Sequence, residues 1–408
     1  MSKAFRLACF LWTAFFLLVF TAAADAAPPR AIGGLGKQVH QDSDMGKDAR
    51  GEFELVHLKW AGLTANEEIR RDYPQLSAAL EKINQQEWQR MQKVRAEMKV
   101  DAANFRKESP KYYHAYVYDF DVQLRRADTS VVSFLQQEYT GGSGAHGMYS
   151  WQGMNLSTLT GEPIPLSAVV RDREKLAEAI CQQLRQDYPY RGFGDLDENI
   201  RDLSYKDNLN WTLDPRGITF YFNPYEIASY AEGLLMATIL FEEQPDLFQW
   251  NYRQQPGAYA QPFPADYNLM TSLRDNGKRD EIHVCSQDGA IHVDLNGREA
   301  EFLQAELTDP QPVLVHMGDG RNYLYIDGMG QDTSRKTLVV ELGRKAVRYV
   351  NVLPYSFRHT EAVSPAVQVH WNFLTNPHGF YFDKTAPIIS TSHTDICAVG
   401  EKGELTFG

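Results

Sequence analysis

The chain has 408 residues and carries 41 Lys and Arg against 53 Asp and Glu, a formal charge of -12, with 43% hydrophobic residues. That apolar fraction is ordinary for a globular protein and excludes disorder and collagen-like repeats, while the length suits about two or three domains. The acidic balance argues against nucleic acid or an anionic membrane surface as the main partner, so a partner chosen by charge would be cationic.

Lys3 and Arg6 precede an apolar run from Leu7 to Phe20, and Thr21-Ala22-Ala23-Ala24-Asp25-Ala26 then supplies the small residues that signal peptidase reads. Residues 1–26 are therefore expected to be a secretory signal cut after Ala26, leaving a mature chain at about -13. No later run is long enough to span a bilayer as a helix, so an extracytoplasmic location is expected. Residues 27–51, rich in Gly, Pro, Lys and Asp, read as a flexible leader.

Between Leu76 and Met98 the apolar residues Leu80, Ile83, Trp88, Met91 and Val94 recur at helical spacing, which predicts an amphipathic helix. The period changes to two from Tyr112 to Leu124, a half-buried strand, and Val131–Tyr139 and His146–Leu156 extend it into an antiparallel meander. Asp172 is a helix N-cap before Leu176, Ile180 and Leu184, and that helix ends before Pro189. Asp214-Pro215-Arg216-Gly217 turns one strand into the next, and Leu234–Phe241 closes the unit.

The stretch 244–263, with repeated Gln and Pro, reads as a linker. Residues 264–408 are almost entirely β in pattern, with Asp-Gly hairpin signals at Asp288-Gly289 and Asp319-Gly320. The fold expected is α+β: an antiparallel sheet with packed helices over 52–243, followed by a mostly β carboxy-terminal domain, a sandwich or partial barrel. Of the cysteines that remain after the signal, Cys181 falls on a helix, and a Cys285–Cys397 bridge stays open.

Two motifs stand out, Tyr139-Thr140-Gly141-Gly142-Ser143-Gly144-Ala145-His146-Gly147 and Phe220-Tyr221-Phe222-Asn223-Pro224-Tyr225-Glu226-Ile227-Ala228-Ser229-Tyr230. With Ile83-Asn84 and the Leu159-Thr160-Gly161 turn in matching order, residues 52–243 resemble the extracytoplasmic module shared by the lysozyme-sensing anti-sigma factor RsiV and the amino-terminal part of the deacetylase PdaC. Ser143-Gly144 is an insertion relative to that pattern. With six residues before the apolar run, a sigma-binding segment is not expected, and no Thr-Phe-Asp-Asp-Gly string marks a deacetylase centre. The resemblance therefore implies a recognition module and no reaction. It also implies a lysozyme-like cationic protein or a peptidoglycan fragment as partner.

Physically, Phe220 and Phe222 anchor one face of a strand and Tyr221 the other, while Pro224 stops sheet pairing and turns the chain outward. Tyr225, Tyr230 and Pro224 on that exit loop, with Tyr139 and His146 of the glycine loop, are the candidate ligand-binding residues. The alternative is that these tyrosines only cover the sheet end. No catalytic residue, metal site or cofactor is expected: Asp195, Asp197 and Asn199 begin like a calcium loop, but Ile200 and Lys206 occupy the positions that need Gly and Glu. The function expected is an exported non-catalytic envelope binding or sensing protein. A wall-glycan hydrolase, a deacetylase-associated enzyme and a structural envelope adaptor are the alternatives.

Overall fold

The computed structural model describes residues 27–353 apart from Ala145, Asp266, Asp275, Asn276, Thr333 and the side chain of Gln304, and beyond 353 only the backbone of six short strands. The signal at 1–26 and the Cys397 side chain lie outside the described residues. Among those described, no helix is long and apolar enough to cross a membrane.

The chain enters through a two-stranded ribbon, β1 (Leu35–Asp48) and β2 (Gly51–Ala65), paired antiparallel from Leu35↔Ala65 to Asp48↔Gly51. This corrects the reading of 27–51 as a leader. Leu35 and Val39 are buried in the core, and the polar outer half of β1 is held by ion pairs instead of apolar contacts. Asn66 caps α1 (Glu67–Asp72), and Pro74 opens the 35-residue α2 (Pro74–Glu108). Leu76, Leu80, Met91, Met98 and Ala102 of α2 pack on the sheet. Arg95 pairs with Asp42 and Asp44, and Arg106 with Asp48, so the helix clamps the ribbon along its length.

Helix α2 carries the chain across to β3 (Tyr116–Ala127), which runs parallel to β2, and the expected meander follows in β4 (Val131–Gly141) and β5 (Met148–Ser157). Side-chain alternation sorts this mixed sheet into two faces. Tyr118, Phe120, Val122, Leu124 and Phe134 meet α2 in the first core. The opposite face carries Asp119, Asp121, Gln123, Gln137, Tyr139 and Trp151.

A second core forms where α4 (Arg173–Asp187), which follows the short α3 (Leu166–Val169), and α5 (Leu196–Tyr205) cover the three-stranded sheet β6 (Asn210–Leu213), β7 (Gly217–Phe222) and β8 (Leu235–Leu240). Asp172 accepts from the Lys175 amide, as the N-cap reading requires. Helix α5 runs through the calcium-like string: Asp197 pairs with Arg185, and no chelating loop exists there.

The region after β8 does not run free. Phe248 is fully buried, α6 (Trp250–Arg253) follows, and β9 (Tyr259–Pro262) pairs with β14 (Leu307–His316). The linker expected over 244–263 is thus packed chain. Beyond it, β10 (Leu269–Thr271), β11 (Asp280–Gln287), β12 (Ala290–Leu295) and β13 (Glu299–Phe302) make one antiparallel sheet. Strands β14, β15 (Asn322–Gly330), β16 (Arg335–Leu342) and β17 (Val347–Leu353) join β9 in another. Ile282, Val284, Ile291 and Val293 of the first sheet meet Leu314, Leu324, Ile326 and Leu338 of the second, a sandwich-like arrangement.

Candidate functional site

Strand β7 leaves the sheet as its composition demands. Phe220 and Phe222 lie in the core under α4 and α5, and Tyr221 faces the other way onto Leu135 and Trp151. Past Phe222 the chain turns at Asn223-Pro224, and Glu226 closes that turn by accepting from the Asn223 amide at 2.9 Å. Tyr225 then takes a left-handed backbone, φ +72°, and stands 62% exposed. A tyrosine gains nothing locally from that conformation, which is costly for any residue with a Cβ.

The structure brings the sequence-selected side chains together. His146 stacks on Tyr230 with ring centroids 3.7 Å apart and planes at 22°, and Tyr225 lies 5.7 Å from Tyr230. The Tyr230 hydroxyl donates to the Gly147 carbonyl, which ties the exit loop to the glycine loop. Tyr139 pairs across β4–β5 with Tyr149 at 4.8 Å, and its ring fills the space a side chain at position 147 would need. Pro224 is part of the turn that presents Tyr225. Burial, and then the neighbouring Tyr149, Tyr139 and Tyr225, raise the Tyr230 pKa, so its hydroxyl stays neutral at physiological pH.

Sequence reasoning missed two members of this surface, Tyr149 and Met148, which are 46% and 43% exposed. Tyr149 lies beside Tyr139 through the β4–β5 register, which alternation within either strand does not supply. The result is an open aromatic surface at the end of β4–β5, with Glu226 and the Arg191–Glu232 ion pair around the exit loop. Among the described residues no group of three or more His, Cys, Asp or Glu side chains is arranged to hold a metal ion.

The neighbouring edge of β5 is occupied by side chains. Asn223 Oδ1 accepts from the Trp151 amide at 2.7 Å, Asn210 Oδ1 accepts from the Gly153 amide at 2.6 Å, and Asn210 Nδ2 donates to the Trp151 carbonyl at 2.5 Å. At Gly153 a Cβ would meet the Trp211 carbonyl oxygen at 2.0 Å, so only glycine lets β6 approach. These amides stand where a further strand would pair.

Residues 169–242 match the family model described as "Protein of unknown function (DUF3298)". That stretch holds α4, α5, β6–β8 and the exit loop with Tyr225 and Tyr230. No curated protein matches the chain. A member of the DUF3298 family from Bacteroides fragilis is a similar solved structure, at 19% identity, with 54% of this chain and 96% of that chain covered and a TM-score of 0.37. A DUF3298 family protein from Pseudomonas aeruginosa is another, at 16% identity, with 54% and 97% covered and a TM-score of 0.34.

Proposed function

We propose that this is an exported, non-catalytic cell-envelope binding protein of the RsiV-like kind, and that its tyrosine–histidine surface docks a cationic protein partner such as a lysozyme-like hydrolase. The observation that carries the reading is the convergence of Tyr139 from β4, His146 from the glycine loop and Tyr225 and Tyr230 from the exit loop into one partly exposed aromatic surface. Such rings bury large area with little rotamer loss, and the chain's charge of -12 would speed encounter with a basic protein.

The test is a titration with lysozyme, with cytochrome c as a basic control. Lysozyme binding that exceeds cytochrome c binding and falls roughly tenfold or more in Tyr225→Ala supports the reading. Equal binding of the two proteins, or affinity untouched by Tyr225→Ala, overturns it.

A further inference from the structure

The sheet face opposite α2 is only partly covered. Two cavities lie side by side on it, one of about 380 Å³ and one of about 420 Å³. Each is within the size range of a small-ligand site. The first opens over Leu135 and Trp151, between β7–β8 and the β10–β11 side of the carboxy-terminal sandwich. The second opens over Lys37, Asp121, Gln123 and Gln137. Leu135 is the register partner of Gln123, and Trp151 of Gln137, so the two floors adjoin, and Pro264 borders both. Together they form a groove running across the strands. From β5 to β1 that is about 19 Å at the usual strand spacing.

The chemistry of the floor is specific. Its charges are matched in place: Lys37 with Asp121 at 2.5 Å and Arg125 with Asp214 through two bonds of 2.8 Å, and the Lys59–Asp119 pair, 3.3 Å apart, lies next to them in the sheet. The groove thus presents fixed donors and acceptors with no net charge along the floor. Asp187 and Glu281 stand at one end, beside an Arg191 already paired with Glu232, and Asp309 at the other, so the rims carry an excess of acid that disfavours anions. The half-buried Tyr267 ring stands beside these groups, backed by the buried Trp151 at 4.9 Å, which lies 5.7 Å from the buried Tyr221. Gln123 Oε1 makes no hydrogen bond to any described residue. Rings beside held amides and ion pairs suit a ligand with apolar faces and many hydroxyls. A polyanion, a lipid tail or a metal would use little of this.

We infer that the groove between the mixed sheet and the carboxy-terminal sandwich binds a short, uncharged oligosaccharide. The site is separate from the tyrosine surface, and the inference does not depend on a protein partner.

Calorimetry with chitotetraose, cellotetraose and maltotetraose, read beside the protein's intrinsic tryptophan fluorescence, tests it. Saturable binding of at least one is expected, weakened about tenfold or more in Gln137→Ala and in Tyr267→Ala, while both variants keep the wild-type melting temperature and lysozyme titration. Tyr225→Ala should leave sugar binding unchanged. No saturable binding of any of the three sugars to the folded protein overturns the inference. So does affinity indifferent to both groove variants, or lost equally in Tyr225→Ala.

Discussion

Arg126 and Tyr225 show how single residues carry this structure in opposite ways. Arg126 is fully buried and donates to Asp128 at 2.6 Å, to the Tyr252 carbonyl at 2.9 Å and to the Gln254 carbonyl at 2.7 Å. Asp128 in turn accepts from the Ser130 and Val131 amides. Arg126→Met would leave Asp128 buried without its cation, and the expected loss is about 3–5 kcal/mol in denaturant unfolding. Tyr225 is the reverse, an exposed ring on a backbone that favours glycine. Tyr225→Gly should therefore leave the melting temperature no lower than wild type while weakening the protein partner, because strain relief offsets the lost ring contact. A clear drop in melting temperature would show that the ring serves packing instead.

Asp187 adds a pH dependence at the same scale. Burial raises its pKa above 3.8; a bond from Gln183 and the charge of Arg279 oppose this, and Glu281 and Glu243 add to it. The folded state then holds its proton more tightly than the unfolded chain. Stability contributed by this group is present below the unfolded pKa and is lost as pH rises through the folded one. Asp187→Asn should accordingly be more stable than wild type at pH 7, and the gap should close as pH falls below about 3.8. A gap that persists unchanged at pH 3 would assign the effect to shape instead of charge.

At the scale of elements, the signals that were legible in the sequence are local and periodic. The Asp172 cap, the Asp288-Gly289 hairpin and the two-residue alternation of β3 each state their structure within a few residues, and each forms as expected. The ribbon β1–β2 was not legible, because Gln41-Asp42-Ser43-Asp44 has no buried face. Asp42, Asp44 and Asp48 are partnered by Arg95 and Arg106 from about fifty residues away in the chain, an arrangement no local pattern encodes. Asn210 and Asn223 hid for the same reason, since their amides complete the edge of β5 and not their own strands. The tyrosine surface was half visible: the exit loop marked itself by Pro224, whereas Tyr149 needed the β4–β5 register. If the ribbon is structural, deleting residues 27–50 from the mature chain exposes Leu58, Trp60 and the inner side of α2. Loss of the cooperative thermal transition is the expected result. An undiminished transition would restore the leader reading.

For the whole molecule the question is whether the α+β part and the β sandwich move apart at 244–263. We propose a domain division near residue 260, but with a junction held shut by charge pairs. Arg216 donates to Glu242 at 2.9 Å, and Glu242 accepts in turn from Ser272 at 2.9 Å and from the Gly277 amide at 3.1 Å. Arg279 grips Glu243 at 2.7 Å and the Thr238 carbonyl at 2.8 Å. Arg126 anchors Tyr252 and Gln254 from within the mixed sheet, and those two residues flank Arg253, the one tryptic site between Arg216 and Arg274. Cleavage after Arg253 requires that backbone to leave its partners and extend into a protease, so it is governed by how often the junction opens. In a limited trypsin digest followed by mass spectrometry, the bond after Arg253 should survive while exposed sites such as Arg50 and Lys111 are cut. Arg126→Met should make it labile. Early cleavage after Arg253 in the wild-type protein would mean that the two parts swing freely, and the groove between them would then have no fixed shape to offer a sugar.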